Sequence, residues 1–409
     1  MHVLVINIHF APQSYGGATV VAEEVARALV RDHDVRVTAI SAVCRDDLPA
    51  YATLLCETGG IANYLINLPP GRSYAEHYAN PQVAERVSAI ARRIEPDVAH
   101  LHCLQEIGAD CIGALKALDI PVVLSTHDYW WLCERQFMLR GDGRACSQDP
   151  VIAAACRGCV DDITRARTRS ERLARLAALA DLVTAPSAFA RDLHIRSGLA
   201  PNRFVVWENG VTLPEPRFFD AQAVRRARDP RVTFAFLGGP SRMKGWPLIR
   251  DAFAGLPGTG VRGLVVDGSL DGSWWRDRSL AGLGGEWEIR PGYDQRTIDG
   301  LFAEIDVLLF LSQWHETFGL TLREALARGI RVIQSEAGGA TEHGAWDAVR
   351  TLPIGAGVEQ VRQAVRAECA RPDRGTLPHS VLGWEAQATE FLGLVRPLLL
   401  RSLPQAGAA

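Results

Sequence analysis

Two glutamates near the C-terminal third of the chain have the spacing expected around a bound sugar phosphate. Glu316 and Glu324 enclose seven residues, among them Phe318, Gly319 and Leu320. These three lie where a strand pattern changes to a helix pattern, so their amides are predicted to be unpaired donors. Such amides, with the positive end of the helix dipole, suit a diphosphate. We therefore predict that the two carboxylates lie on either side of the phosphates, one within reach of a sugar and the other of a ribose diol; in the alternative, Glu324 is a solvated helix residue and Glu316 a cap.

The elements that must position these glutamates are readable from the same stretch. Residues 307–311 form an apolar run typical of a buried strand, and a helix pattern follows that ends at Gly329. A second strand, 330–334, leads to a Gly338-Gly339 turn. Strand, helix, strand and glycine turn in this order are typical of half a nucleotide-binding α/β layer.

This stretch resembles glycosyltransferase family 4, the retaining enzymes of the GT-B fold. The motif residues are Glu316, Phe318-Gly319, Glu324-Ala325, Ala327-x-Gly329 and Gly338-Gly339-x-x-Glu342. The resemblance implies an α/β protein with two facing Rossmann-like domains, parallel sheets and an interdomain cleft. It also implies that Glu324 binds the ribose hydroxyls and Glu316 the hydroxyls of the donor sugar.

A second phosphate-binding pattern precedes this motif. The strand VTFAFLGG ends at Gly238-Gly239, and Lys244-Gly245 follows before a helix. Lys244 matches the lysine of family 4, and it is one of only two lysines, with Lys116. Gly239 stands where the family usually has an arginine, so Arg242 is the candidate replacement for that charge.

The N-terminal half carries two further candidate features. Gly16-Gly17 follows the first strand, 3–8, and opens a helix, where a glycine pair permits close approach of a phosphate or sugar. His127 follows the strand 121–126, at the end of a strand where ligands bind in open α/β sheets. The resemblance makes His127 the catalytic histidine, close to the reacting carbon of the donor sugar; the alternative is a structural histidine.

Two metal hypotheses come from other residues. Asp32-His33-Asp34 has the Asp-x-Asp pattern of the metal-dependent GT-A transferases, but it falls in a predicted connecting turn. A polar loop contains four clustered cysteines, Cys133, Cys146, Cys156 and Cys159. Only the last pair has Cys-x-x-Cys spacing, so a structural zinc and free thiols are both open, and a redox pair is less favoured.

Composition bounds the class of protein. The 409 residues are 47% hydrophobic and 22% charged with a net charge of −3, which favours a soluble globular protein and no nucleic-acid partner. No apolar run reaches the ~20 residues that span a bilayer. The sequence opens directly with a strand pattern and shows no signal peptide, so we expect a cytoplasmic protein. An arginine-rich helix, 163–180, leaves peripheral membrane contact open, although a solvated face is favoured.

Punctuation residues divide the chain into domains. Asn209-Gly210, followed by Pro214 and Pro216, predicts a boundary near 213. We expect an acceptor-binding domain at 1–213 with a cysteine-bearing insertion at about 133–160. A nucleotide-sugar-binding domain follows at 214–383. By resemblance, a C-terminal helix with a short tail, 384–409, crosses back to the first domain.

Together these features predict a retaining hexosyltransferase that moves a sugar from a nucleotide-diphosphate sugar to an acceptor hydroxyl without a metal cofactor. The acceptor is a glycan, a lipid-linked or a small-molecule hydroxyl. Three alternatives stay open: a GT-B phosphorylase or sugar-phosphate synthase, a GT-A transferase that uses Asp32 and Asp34, and a non-catalytic partner subunit. The sequence does not indicate the nucleotide, the sugar or the acceptor.

Overall fold

The computed structural model describes residues 1–199 and 203–402, and these form two compact units. The first unit consists of Met1–Gly141, Ser147–Gly210 and the segment that starts at Trp384. The second consists of Asp142–Cys146 and Val211–Gly383. Each unit is built around its own sheet, as the alternation of strand and helix patterns predicts. The tail predicted after the last helix lies outside the described residues.

The sheet of the first unit is almost entirely parallel. Its described strands are β1 (His2–Ile6), β2 (Arg36–Val43), β3 (Thr53–Thr58), β4 (Ile61–Asn67), β5 (Val98–Leu101), β6 (Val122–Ser125), β7 (Leu182–Ala185) and β8 (Phe204–Val206). They are ordered β3-β4-β2-β1-β5-β6-β7-β8, with only β3 antiparallel to its neighbour. The central strands β1, β5, β6 and β7 are buried along their whole length, as their continuous apolar runs predict. The strand order reverses between β1 and β5, which marks the switch point of this sheet.

Helices alternate with the strands of this sheet, and several of them are capped by polar side chains. They are α1 (Gly17–His33), α2 (Pro81–Ile94), α3 (Asp110–Lys116), α4 (Ile163–Ala177) and α5 (Ala188–Arg196). Asn80 accepts hydrogen bonds from two first-turn amides of α2, with Pro81 as the first helical residue. Asp162 caps α4 in the same way, and Ser187 caps α5. These caps satisfy amides that would otherwise be unpaired.

The sheet of the second unit has the strand order of a dinucleotide-binding domain. Its described strands are β9 (Val232–Phe236), β10 (Val261–Asp267), β11 (Glu286–Pro291), β12 (Val307–Phe310), β13 (Arg331–Ser335) and β14 (Val349–Leu352). All pairs are parallel in the order β11-β10-β9-β12-β13-β14. The order reverses between β9 and β12, so a ligand is expected beyond their carboxyl ends.

The helices of the second unit pack on the two faces of its sheet. They are α6 (Arg217–Arg228), α7 (Trp246–Phe253), α8 (Ile298–Phe302), α9 (Leu320–Ala327) and α10 (Val358–Cys369). Phe234 and Phe236 of β9 lie in one apolar cluster, and Ala235 between them lies in the other. This alternation explains why β9 is apolar without interruption. The last described helix, α11 (Trp384–Ser402), belongs to the first unit, where it packs on α1.

A buried carboxylate joins β9 and β12 at their amino ends. Asp306 is fully buried and accepts two hydrogen bonds from Arg225, at 2.9 and 2.7 Å, and one from Arg226 at 2.9 Å. It also accepts the amide of Thr233 at the start of β9, at 2.9 Å. Because a buried charge is tolerated only when it is paired, this network holds the two strands in register. The relative position of β9 and β12 is therefore fixed at their amino ends, opposite the switch point at their carboxyl ends.

Candidate active site

The turn after β9 lies directly against the chain that leaves β12. Gly245 has a φ of +85°, and a Cβ at this position would collide with the carbonyl oxygen of Leu311. A glycine is therefore required, both for the left-handed backbone and for the close approach. The approach places Lys244 beside the residues that follow β12.

Lys244 and Glu316 form the centre of the arrangement. The Nζ atom of Lys244 donates to Oε1 of Glu316 at 2.7 Å. The same oxygen accepts the hydroxyl of Ser312 at 2.5 Å and the indole N–H of Trp314 at 2.8 Å. Glu316 is only 6% exposed, so three donors on one oxygen offset the cost of burying its charge. Its second oxygen, Oε2, has no hydrogen-bond partner among the described residues and remains able to accept one.

The Trp314 ring also contacts the ammonium group. Nζ of Lys244 lies 5.3 Å from the centroid of this ring, within the range of a cation–π interaction. Trp314 is buried, so its position is set by packing. The indole therefore holds both members of the Lys244–Glu316 pair.

The backbone of Glu316 is held by the glycine turn predicted from the motif. Glu316 pairs with Gly338 in an isolated parallel bridge, and its carbonyl accepts the amide of Gly339 at 2.9 Å. The buried guanidinium of Arg323 donates to carbonyls of this loop, those of Ala340 at 2.8 Å, Gly339 at 3.1 Å and Glu342 at 3.1 Å. One arginine on α9 thus fixes the loop that in turn fixes Glu316.

Three unpaired amides lie next to this carboxylate in the chain. α9 begins at Leu320, its N-cap is Gly319 with a φ of +87°, and no side chain caps it. The amides of Phe318, Gly319 and Leu320 donate no hydrogen bond to any described residue. No acidic side chain lies in the first turn of α9. The helix start therefore has the donors that an anion needs.

Glu324 lies in the following turn of α9 and is 3% exposed. Its Oε2 accepts the hydroxyl of Tyr293 at 3.0 Å, and Tyr293 follows β11 at the same edge of the sheet. Burial raises the pKa of the Glu324 carboxyl, and the charge of Arg328 lowers it to a smaller extent. Burial also raises the pKa of Tyr293 well above its usual value, so the phenol remains a donor. Glu324 makes no described contact with the Lys244–Glu316 pair.

Arg242 is exposed, in the turn after β9 and close to Lys244 in sequence. Its carbonyl accepts the amide of Gly245 at 3.1 Å, but its guanidinium forms no hydrogen bond or ion pair with another described residue. Its guanidinium is therefore not committed to a protein partner, in contrast to the ammonium of Lys244.

The first unit brings histidines together beside its own switch point. His102 follows β5 and His127 follows β6. Nδ1 of His102 and Nε2 of His127 are 2.8 Å apart, and the two rings are nearly parallel, at 14° with centroids 5.1 Å apart. Burial lowers the pKa of His127 to about 4, so the ring is neutral near pH 7.

Asp128, the residue after His127, has a structural task. Its Oδ1 accepts the amide of Trp130 at 2.8 Å. Its Oδ2 accepts the side-chain amides of Gln105 at 2.8 Å and Gln136 at 2.6 Å. Asp128 therefore ties the loop after β5 to the loop after β6 and does not pair with the imidazole.

The predicted glycine pair opens α1. Gly16 is the N-cap with a φ of +84°, and nothing lies within 4 Å of where its Cβ would be. Asn7, after β1, accepts the amide of Cys103 at 3.0 Å and donates to Thr19 of α1 at 3.1 Å. Gly16 and Gly17 thus border open space at the β1 edge of the switch point, although no described contact joins them to His127.

Comparison with known proteins agrees with this geometry. The model of Glycosyltransferase Family 4 matches residues 15–214, and that of Glycosyl transferases group 1 matches residues 219–344, so that together they match most of the chain. The chain belongs to glycosyltransferase family 4. No curated protein matches the sequence.

Solved structures of GT-B enzymes share the fold of this family 4 glycosyltransferase. Sucrose-phosphate synthase from Thermosynechococcus elongatus is 16% identical with a TM-score of 0.70, covering 98% of this chain and 99% of that one. HepE from Anabaena, in complex with UDP and glucose, is 18% identical with a TM-score of 0.61 and the same coverage. The α,α-trehalose 6-phosphate synthase from Burkholderia multivorans is 11% identical with a TM-score of 0.65, again covering 98% and 99%. At these identities the likeness concerns the fold, and the GT-B prediction is confirmed.

The metal hypotheses do not fare as well. Asp32 lies in the last turn of α1, paired with Arg31, and Asp34 is the left-handed C-cap, so the GT-A alternative is wrong for this GT-B chain. No group of three or more potential ligand side chains among the described residues is arranged to hold a metal ion.

This finding includes the four cysteines of the predicted insertion. The sulfur atoms of Cys156 and Cys159 are directed at the carbonyl oxygens of Ile152 and Leu139, at 3.9 and 4.0 Å. None of the four takes part in a disulfide: Cys133, Cys146, Cys156 and Cys159. The structure therefore gives the predicted structural zinc no support.

The ring of Trp274 lies against Gly239, the position where the family usually has an arginine. A Cβ on Gly239 would lie 2.8 Å from the ring of Trp274, and one on Gly268 would lie 3.1 Å from it. Gly239 also has a φ of +70°. An arginine cannot occupy position 239 in this conformation. Trp275, which follows Trp274 in the chain, is buried in the core, where its indole N–H donates to the carbonyl of Val266 at 2.9 Å.

Sequence reasoning missed four residues that the structure brings into these sites: Ser312, Trp314, Tyr293 and His102. Ser312 and Trp314 precede Glu316 by four and two residues, and they reach its side chain because the chain bends at Gln313 and Trp314. The sequence gives no signal of this bend. His102 follows a buried strand, the same signal that identified His127. No sequence signal joins Tyr293 to Glu324, because their contact depends on how β11 and α9 pack.

Proposed function

We propose that this protein is a retaining glycosyltransferase that transfers a hexosyl group from a nucleotide-diphosphate sugar to a hydroxyl of a glycan, lipid-linked or small-molecule acceptor. The observation that carries the proposal is the Lys244–Glu316 pair beside the unpaired amides of α9. An ammonium group, a carboxylate with one unused oxygen and several free N–H donors at a topological switch point suit a sugar diphosphate.

The charge of the departing diphosphate is the main requirement of the reaction. The bond between the sugar carbon and the phosphate oxygen breaks, and negative charge grows on the diphosphate as positive charge grows on the sugar. Lys244 retains two N–H groups beyond its bond to Glu316 and would donate them to the phosphates. Arg242 and the amides of Gly319 and Leu320 would add to this stabilisation without a metal cofactor.

Glu316 is proposed to bind the donor sugar. Its Oε1 already has three protein donors, so a sugar hydroxyl would bind to Oε2. Since Oε1 is held from three directions, the carboxylate loses little freedom when the sugar binds. Glu324, steadied by Tyr293, is proposed to accept the ribose hydroxyls.

The transfer itself would use few protein groups. The acceptor oxygen forms its bond to the sugar carbon on the face from which the diphosphate leaves, and its proton passes to the leaving phosphate oxygen, so configuration is retained. We assign to His127 the role that the family resemblance implies, contact with the donor sugar near its reacting carbon. Gly16 and Gly17 are proposed to permit the close approach of a phosphate or sugar. None of the nine cysteines takes part in a disulfide, which favours the reducing cytoplasm as the compartment.

A thermal-shift screen of UDP, GDP, ADP and dTDP tests the nucleotide part. A ligand at 100 times its dissociation constant adds about 2.7 kcal/mol to the stability of the unit that binds it. One nucleoside diphosphate should raise the melting temperature of the wild type and raise that of Lys244→Met much less. Absence of a shift with all four would contradict the proposed site.

Product analysis with the matching nucleotide sugar tests the reaction. Transfer to a hydroxyl with retained configuration supports the proposal. A product formed only with free phosphate or with a sugar phosphate as acceptor would indicate the phosphorylase or sugar-phosphate synthase alternatives. Nucleotide binding without any turnover would indicate a non-catalytic subunit.

A further inference from the structure

The strongest unexplained feature of the first unit is a buried histidine behind His127. His102 is 1% exposed, and its Nδ1 lies 2.8 Å from Nε2 of His127. A hydrogen bond between two imidazoles needs one proton on the line between them, so one ring donates and the other accepts. This contact therefore couples the protonation of the two rings.

The environment of His102 decides between the two arrangements. Its other nitrogen, Nε2, is buried and has no hydrogen-bond partner among the described residues. If His127 were the donor, His102 would carry its own proton on Nε2, leaving a buried N–H without an acceptor. If His102 is the donor, its Nε2 is only an unused lone pair. Orphaned buried N–H groups are rarer than unsatisfied acceptors, which favours His102 as the donor.

Burial keeps the rings of His102 and His127 neutral, because it lowers the pKa of each below its usual range. A third ring, that of His100, lies 4.0 Å from the ring of His102, and burial lowers its pKa in the same way. His100 is itself held by Ser125 at 2.8 Å and stacks on Phe391 of α11 at 4.5 Å. The ring of His102 is therefore clamped between His100 and His127 and has little freedom to turn over.

We propose that His102 is a positioning residue that donates from Nδ1 to Nε2 of His127 and thereby fixes His127 with its proton on Nδ1. In this tautomer Nε2 of His127 is engaged, and Nδ1 can only donate a hydrogen bond. The inference deepens the proposed function, on which it rests. In this tautomer His127 has no ring nitrogen that can take a proton from the substrate.

The test is nitrogen NMR of the full chain labelled with ¹⁵N-histidine, near pH 7 and without substrate. His127→Gln identifies the His127 signals. We expect Nε2 of His127 to be unprotonated and to accept a hydrogen bond, and Nδ1 to carry the proton. His102→Ala should give a mixture of tautomers at His127, whereas His102→Asn should keep the wild-type pattern, because its side-chain amide can donate from close to the position of Nδ1.

Controls separate a positioning role from a loss of folding. His2→Ala removes another buried histidine at the opposite edge of the sheet and should leave the His127 signals unchanged. Melting curves report whether each variant folds, and His102→Asn keeps the test valid if His102→Ala does not. A wild-type His127 that carries its proton on Nε2 would overturn the proposal.

Turnover then separates this inference from the proposed function. With an identified donor, His102→Gln should lower kcat by roughly tenfold or more, because its amide lies at the position of Nε2, and His102→Asn should restore most of it. If the tautomer is as proposed but His127→Gln has full turnover, the role of His127 is wrong and the positioning by His102 stands. If His127→Gln does lower kcat, equal turnover in His102→Asn and His102→Gln would contradict positioning through Nδ1.

Discussion

Acid should destabilise the first unit through its buried neutral histidines, and His194 offers the cleanest case. His194 is fully buried on α5, and its Nδ1–H donates to the carbonyl of Ala190 at 2.7 Å. Burial lowers its pKa from 6.5 to about 4. Between these values the unfolded chain binds a proton at His194 and the folded chain does not. Stability from this group is therefore complete above pH 6.5 and is lost as pH falls toward 4.

The magnitude follows from the difference in bound protons. Each pH unit in this window changes the free energy of unfolding by about 1.4 kcal/mol per proton. From pH 6.5 to pH 5 the loss from His194 is then about 2 kcal/mol. His194→Asn removes the titrating group and keeps a donor for the carbonyl of Ala190. Its cost in packing is the same at every pH and cancels when the two pH values are compared.

Urea unfolding at pH 7.5 and pH 5 measures this effect. If the two units unfold in separate transitions, the transition that His194→Asn shifts at pH 7.5 is that of the first unit, which contains His194. Wild type should lose about 2 kcal/mol more than His194→Asn between the two pH values. His194→Phe packs differently but also lacks the titrating group, so it should match His194→Asn. An equal pH dependence for wild type and both variants would refute the claim that His194 is neutral when buried.

Two further substitutions test the second unit. Tyr293→Phe should lower the free energy of unfolding by about 1–2 kcal/mol, because the buried carboxylate of Glu324 loses a donor; an unchanged urea midpoint would show that this hydrogen bond does not form in solution. Gly239→Arg should be more destabilising than Gly272→Arg by about 1–3 kcal/mol. Both glycines have a positive φ, +70° and +68°, but only the Cβ at 239 meets the ring of Trp274, so equal melting temperatures would contradict that contact.

The amides at the start of α9 could be predicted because their geometry depends only on neighbouring residues in the chain. Phe318, Gly319 and Leu320 are unpaired amides in the structure because a strand run and a helix pattern meet there, and the sequence shows both. Lys244 was placed near a phosphate by the glycine turn after β9. Its contact with Glu316 depends on β9 and β12 being neighbours in the sheet. The motif itself does not show this; it follows only from the fold that the motif indicates.

The failures have a common physical cause. Cysteine spacing predicts a zinc site only if the intervening loop brings the sulfur atoms together, and the loop around Cys156 and Cys159 directs them to carbonyl oxygens. The loss of the arginine at Gly239 was visible, but its replacement by the ring of Trp274 was not, because the contact joins two loops. His102 escaped notice because its partner lies 25 residues away on a neighbouring strand end.

The central claim is that Glu316 and Lys244 serve one donor site, with different tasks for the two charges. The most direct measurement compares kcat and nucleoside diphosphate affinity for wild type, Glu316→Gln and Lys244→Met with the same nucleotide sugar. Glu316→Gln should lose on the order of 10²-fold in kcat while its nucleotide affinity stays within a few-fold, and Lys244→Met should lose both. Full turnover by both variants would contradict the account.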